Sequence, residues 1–166
     1  MTDYVSQFVG VWRAKDWTVT NLATGEQTKY FDGRAEGFIA YSAEGWVSSS
    51  VIDTGRPMNT SDRDARTDLK AAIEANGCAN LTPQQYETLT PFALSALGYM
   101  GYCGFYSADA ENVYHDVQSA GRPSHMDLRL ARTYTFDGDT LRLTGDAVGF
   151  RDSILWERIR PPATQG

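Results

Sequence analysis

Long apolar runs are missing from this 166-residue chain, and none approaches the ~20 residues of a membrane-spanning helix. Cysteine is scarce: Cys78 and Cys103 make no metal-spaced pair, and both are expected as free thiols. Basic residues are outnumbered, leaving a formal charge of −6, which argues against a nucleic-acid backbone or an anionic membrane as partner. No glycine-rich dinucleotide fingerprint and no Gly-x-Ser-x-Gly elbow is present, so neither nicotinamide or flavin redox chemistry nor serine hydrolysis is expected. His115 and His125 have no third ligand at a recognisable spacing, so neither a metal nor another cofactor is expected. The opening residues, Met1-Thr2-Asp3-Tyr4-Val5-Ser6-Gln7, lack a basic segment and an apolar core, which points to a cytoplasmic protein.

What the chain does have is rings. Nine tyrosines and four tryptophans sit in a sequence that is 42% hydrophobic, a composition suited to filling a core or lining a pocket. Phe8-Val9-Gly10-Val11-Trp12-Arg13 stands near the start and Ile154-Leu155-Trp156-Glu157-Arg158-Ile159 near the end. A Gly-x-Trp on a first strand and an arginine on a last strand can plug the closed end of a small barrel. The guanidinium then stacks on the indole.

Between these ends, strand patterns alternate with short turns. Segments 9–20, 37–42, 46–52, 101–107, 112–119, 128–136, 140–144 and 152–159 read as strands. Asp137-Gly138-Asp139 is the strongest hairpin signal. Eight strands close an up-and-down antiparallel barrel around one small ligand. The expected fold is therefore mainly β, a closed or nearly closed eight-stranded barrel forming one domain over 1–160. Segment 61–100 is a helical insertion, with Leu69 and Ile73 at i, i+4, Gly77 as C-cap and Thr82-Pro83-Gln84-Gln85 as a capping box. Pro91 should kink or restart the second helix, and 161–166 should be a disordered tail.

The strand order resembles the lipocalin-like domain family of bacteria and fungi. The resemblance rests on Val9-Gly10-Val11-Trp12-Arg13, Gly37-Phe38-Ile39-Ala40-Tyr41-Ser42-Ala43-Glu44-Gly45, Tyr102-Cys103-Gly104-Phe105-Tyr106, Val113-Tyr114-His115-Asp116-Val117 and Leu155-Trp156-Glu157-Arg158-Ile159. It implies a barrel with a hydrophobic lumen that binds small molecules. Relatives in natural-product pathways imply cofactor-free cyclases, isomerases or dehydratases. Where members tend to carry Pro-Asn-Trp, this chain has Pro123-Ser124-His125.

Strand alternation predicts which side chains enter the lumen. If Trp12 points inward, Ala14, Asp16 and Thr18 follow. His115 shares the apolar face of Val113 and Val117, and Arg132 the face of Leu130 and Tyr134. Tyr102, Gly104 and Tyr106 share another face, with Gly104 leaving room between two phenols. His115, aided by Asp16, is the candidate base, and Tyr106 and Arg132 are candidates to stabilise developing negative charge. Tyr41, Tyr102, Gly104, Tyr134, His125 and Trp46 are the candidate substrate-binding set. The expected activity is acid/base cyclisation, isomerisation or dehydration of an apolar or aromatic, polyketide-like metabolite by a monomer or homodimer. The rival is a non-catalytic carrier or sensor of a hydrophobic metabolite.

Overall fold

A computed structural model describes residues 3–57 and 63–160. The expected tail at 161–166 and the start of the expected insertion lie outside these residues. The chain divides into two compact units, one comprising the residues up to Thr54 and from Met100 onward, the other Gly55–Tyr99.

The first unit is a closed antiparallel barrel. Its strands are β1 (Gly10–Asn21), β2 (Gln27–Lys29), β3 (Ala35–Tyr41), β4 (Trp46–Asp53), β5 (Tyr99–Ala108), β6 (Asn112–Ala120), β7 (Arg129–Asp137), β8 (Thr140–Ala147) and β9 (Phe150–Arg158). Each strand pairs with its neighbour in the order β2-β1-β3-β4-β5-β6-β7-β8-β9, and β1 also pairs with β9. That last pairing closes eight strands into a ring and removes the exposed edges. The three-residue β2, not expected from the sequence, pairs only with the far half of β1.

Alternation places the apolar residues inside. Val113, His115 and Val117 on β6 are buried, and Asp116 between them pairs with Arg129 on the outer surface. At one end the lumen is filled. Phe8 packs against Tyr41, Tyr134 and Phe136 at ring-centroid distances of 5.3, 4.9 and 5.0 Å. The Arg158 guanidinium lies 4.0 Å from the centre of the Trp12 ring and donates to the carbonyls of Val9 and Gln7 at 2.6 and 2.8 Å. Gly10 makes this approach possible: its φ is +136°, and a Cβ there would stand 2.8 Å from an Arg158 nitrogen. The plug expected from the two end motifs is thus formed.

The second unit holds α1 (Arg63–Asn76) and α2 (Pro83–Leu97). Gly77, at φ 69°, ends α1 and donates its N–H to the Ile73 carbonyl at 2.9 Å. Both bonds of the capping box form: Gln85 N–H to Thr82 Oγ1 at 3.3 Å, and Thr82 N–H to Gln85 Oε1 at 2.9 Å. α2 runs through Pro91 rather than restarting there. Among the described residues no helix is long and apolar enough to cross a membrane.

Candidate functional site

Opposite the plug, the barrel holds a cavity of about 400 Å³, within the ~300–1,000 Å³ range of small-molecule sites. Trp17, Ile39, Val51, Leu130, Leu143 and Ile154 supply apolar walls, and Tyr102, His115, Arg122, His125 and Arg132 supply polar groups. A second depression, lined by Arg13, Lys15, Glu36 and Phe38, lies on the outer face of β1, β3 and β4 and lacks such enclosure.

His115 is fully buried and bridges two phenols. Its Nε2 lies 2.9 Å from the Tyr41 hydroxyl and its Nδ1 lies 2.7 Å from the Tyr102 hydroxyl. Burial, with a smaller contribution from the Arg132 charge, pushes the imidazole down to about 3, so it is neutral at physiological pH. Burial also holds both phenols protonated, Tyr41 well above its ordinary value and Tyr102 at about 12.

Hydrogen-bond satisfaction then assigns the proton positions. Tyr41 is buried and has no other hydrogen-bond partner among the described residues, so its O–H donates to Nε2. Nδ1 therefore carries the imidazole proton and donates to the Tyr102 oxygen. The Tyr102 O–H is left free to point elsewhere, and Tyr102 lines the cavity. The relay Tyr41→His115→Tyr102 delivers a polarised donor to the lumen. As placed, His115 is no base toward a ligand, because both its nitrogens are engaged.

Arg132 enters from β7 as its strand pattern predicts. Its arm lies along the neighbouring β8 backbone, where a Cβ on Gly145 would meet Arg132 Cδ at 2.4 Å. Glycine at 145 is what admits it. Arg122 reaches the cavity from the connection before a short 3₁₀ turn, Pro123–His125, and donates to the Tyr30 hydroxyl at 2.8 Å. Tyr30 in turn stacks on Trp17 with ring centroids 4.0 Å apart. The left-handed backbone of Phe31 and Asp32 (φ 50° and 52°) turns the chain beside this stack. His125 also lines the cavity, and its Nδ1 is buried without a hydrogen-bond partner among the described residues. Burial, then the Arg122 and Arg132 charges, lower its basicity.

Of the residues expected from the sequence, the cavity wall brings together Tyr102, His115, His125 and Arg132, with Tyr41 behind His115. The others lie elsewhere. Asp16 is corrected from lumen to outer surface, where it pairs with Lys29 at 2.6 Å. The cause is a β-bulge: Ala14 pairs with Trp156 and Asp16 with Leu155, leaving Lys15 unpaired and reversing the alternation so that Trp17 faces in. Tyr106 belongs to the packed end, its ring against Tyr41 and its hydroxyl donating to the Ser42 carbonyl at 2.8 Å. Tyr134 is also at that end, donating to the Asp109 carbonyl at 2.7 Å. Trp46 faces outward in an edge-on pair with Phe105. Gly104 makes no room for a ligand; a Cβ there would stand 2.1 Å from the Asp116 carbonyl oxygen, at a bulge where Gln118 is unpaired. Trp17, Tyr30, Arg122 and the inner face of Trp156 are among the wall residues that sequence reasoning missed. Trp17 was hidden by the bulge, and Tyr30 and Arg122 lie in connections without periodicity.

The lipocalin-like domain family model matches residues 9–157 of the chain. Among solved structures, secretory abundant heat soluble protein 4 from Ramazzottius varieornatus is similar at 14% identity. That match covers 96% of this chain and 99% of that one, with a TM-score of 0.41. No curated protein matches the chain.

Proposed function

The chain belongs to the lipocalin-like domain family, and on that premise we propose that its barrel binds a hydrophobic small molecule in the lumen. The observation that carries this reading is the cavity itself. Apolar side chains from opposite strands enclose about 400 Å³, and a few polar groups converge on it. A side-chain-filled barrel would have no such space. Leu130→Trp tests the reading, because Leu130 lines the cavity outside the packed end. The expected outcome is at least a tenfold loss of Nile red affinity by fluorescence titration, with an unchanged far-UV circular dichroism spectrum. Equal affinity in a folded variant would place the dye, and the function, elsewhere.

A second reading is cofactor-free acid/base chemistry on that ligand: cyclisation, isomerisation or dehydration of an apolar or aromatic, polyketide-like metabolite. The unpartnered His125 ring nitrogen at the cavity wall favours it. His125 would take a proton and the free Tyr102 O–H would support the oxygen on which charge develops. The base role expected of His115 passes to His125, and His115 orients Tyr102. The test begins with native mass spectrometry and identification of whatever compound co-purifies. Conversion of that compound over time, abolished by His125→Ala and reduced ~10²-fold by Tyr102→Phe, is the catalytic outcome. A compound that stays unchanged makes the protein a carrier.

A further inference from the structure

The cavity wall carries more hydrogen-bond donors than the described residues supply acceptors for. Trp156 lines it and is 1% exposed, and its indole N–H, which can only donate, is buried without a hydrogen-bond partner among the described residues. The Tyr102 O–H is free once Nδ1 of His115 donates to it. Among the described residues Arg132 makes one hydrogen bond, to the Ala131 carbonyl, and Arg122 makes one, to the Tyr30 hydroxyl. Among the described residues neither guanidinium forms an ion pair.

Each lining carboxylate has a donor, and for Asp146 that donor is a cation. Asp146 is held by two nitrogens of Arg151 at 2.7 and 2.9 Å, and Asp152 accepts from Trp17 Nε1 at 2.8 Å. A cation without a partner beside apolar walls is costly unless an anion meets it. Arg132 and Arg122 line the same cavity as His125, and both charges lower the basicity of that ring.

We propose that the lumen selects apolar ligands bearing a carboxylate, with Arg132 and Arg122 holding the anion and Trp156 and Tyr102 donating to its oxygens. The inference rests on the reading of the lumen as a ligand cavity. An arginine can meet a carboxylate with two parallel N–H donors, which a neutral hydroxyl cannot match. Gly145 contributes indirectly, since any side chain there would displace the Arg132 arm.

The test is a matched pair, 2-naphthoic acid against 2-naphthalenemethanol, titrated by calorimetry at pH 7.4 into the full-length protein. The expected result is at least tenfold tighter binding of the acid. That preference should shrink to less than threefold in Arg132→Gln while the affinity for the alcohol stays the same. Arg122→Gln, in a connection outside the sheet, should reduce the preference as well and serves if the β7 variant does not fold. Equal affinity for acid and alcohol in the wild type overturns the carboxylate assignment and leaves the cavity reading intact. So does a preference retained in both variants. Binding of neither compound overturns both.

Discussion

His115 is the residue on which the site turns, and its surroundings fix its chemistry. Strand alternation put it in the lumen, but an inward histidine can be a base, an acid or an orienting group. Two tyrosines decide among these, because they occupy both ring nitrogens at 2.9 and 2.7 Å. The same burial has a thermodynamic consequence. The folded imidazole titrates at about 3, against 6.5 for an unperturbed one. Between those values the unfolded chain binds a proton that the folded chain does not. Stability is therefore full above pH 6.5 and falls as pH drops through the window toward 3. The loss approaches about 1.4 kcal/mol per pH unit for one such group. His125, also lowered, adds a slope of the same sign. Urea denaturation from pH 6.5 to 4.5, above the range of most carboxylates, should show this slope in the wild type and a markedly flatter one in His115→Gln. Parallel curves would mean that the imidazole is not held neutral.

Elements carry the next level of information, and β1 shows where sequence patterns stop. Its first half alternates as expected, with Trp12 and Ala14 buried. A period of two cannot announce an extra residue, so strict alternation from Trp12 puts Asp16 inside and, by the same rule, Trp17 outside. The unpaired Lys15 reverses both. Deleting Lys15 should restore strict alternation and force either Trp17 or Trp12 out of the barrel. The expected outcome is a red-shifted tryptophan emission and a loss of roughly 2–5 kcal/mol, comparable to emptying a large core position. An unshifted spectrum with native stability would show that the bulge does not set the facing. The helices were easier to read, because caps are local. Thr82, Gln85 and Gly77 satisfy backbone groups within a turn of themselves, so their roles survive any tertiary setting.

At the scale of the whole molecule, the two units differ in how much they bury. The barrel carries a continuous core from Phe8 to Trp156, whereas the only buried hydrophobic residues described in Gly55–Tyr99 are Leu69 and Leu81. Local stability follows buried contact, so amides of α1 and α2 should exchange at least tenfold faster than those at the centres of β6 and β8. Hydrogen exchange read by mass spectrometry checks this, and equal protection would mean that the helices unfold only with the barrel. The sequence by itself determined the number of barrel strands, the Trp12–Arg158 plug, the helix caps and the inward facing of His115 and Arg132. Each follows from a short-range period or from the bonding needs of a few neighbouring residues. Only the tertiary structure decided that Tyr106 and Tyr134 belong to the packed end, and that Tyr30, Arg122 and Trp17 border the cavity. Those outcomes depend on bulges and on connections whose course is set by what they pack against, and no local pattern encodes that.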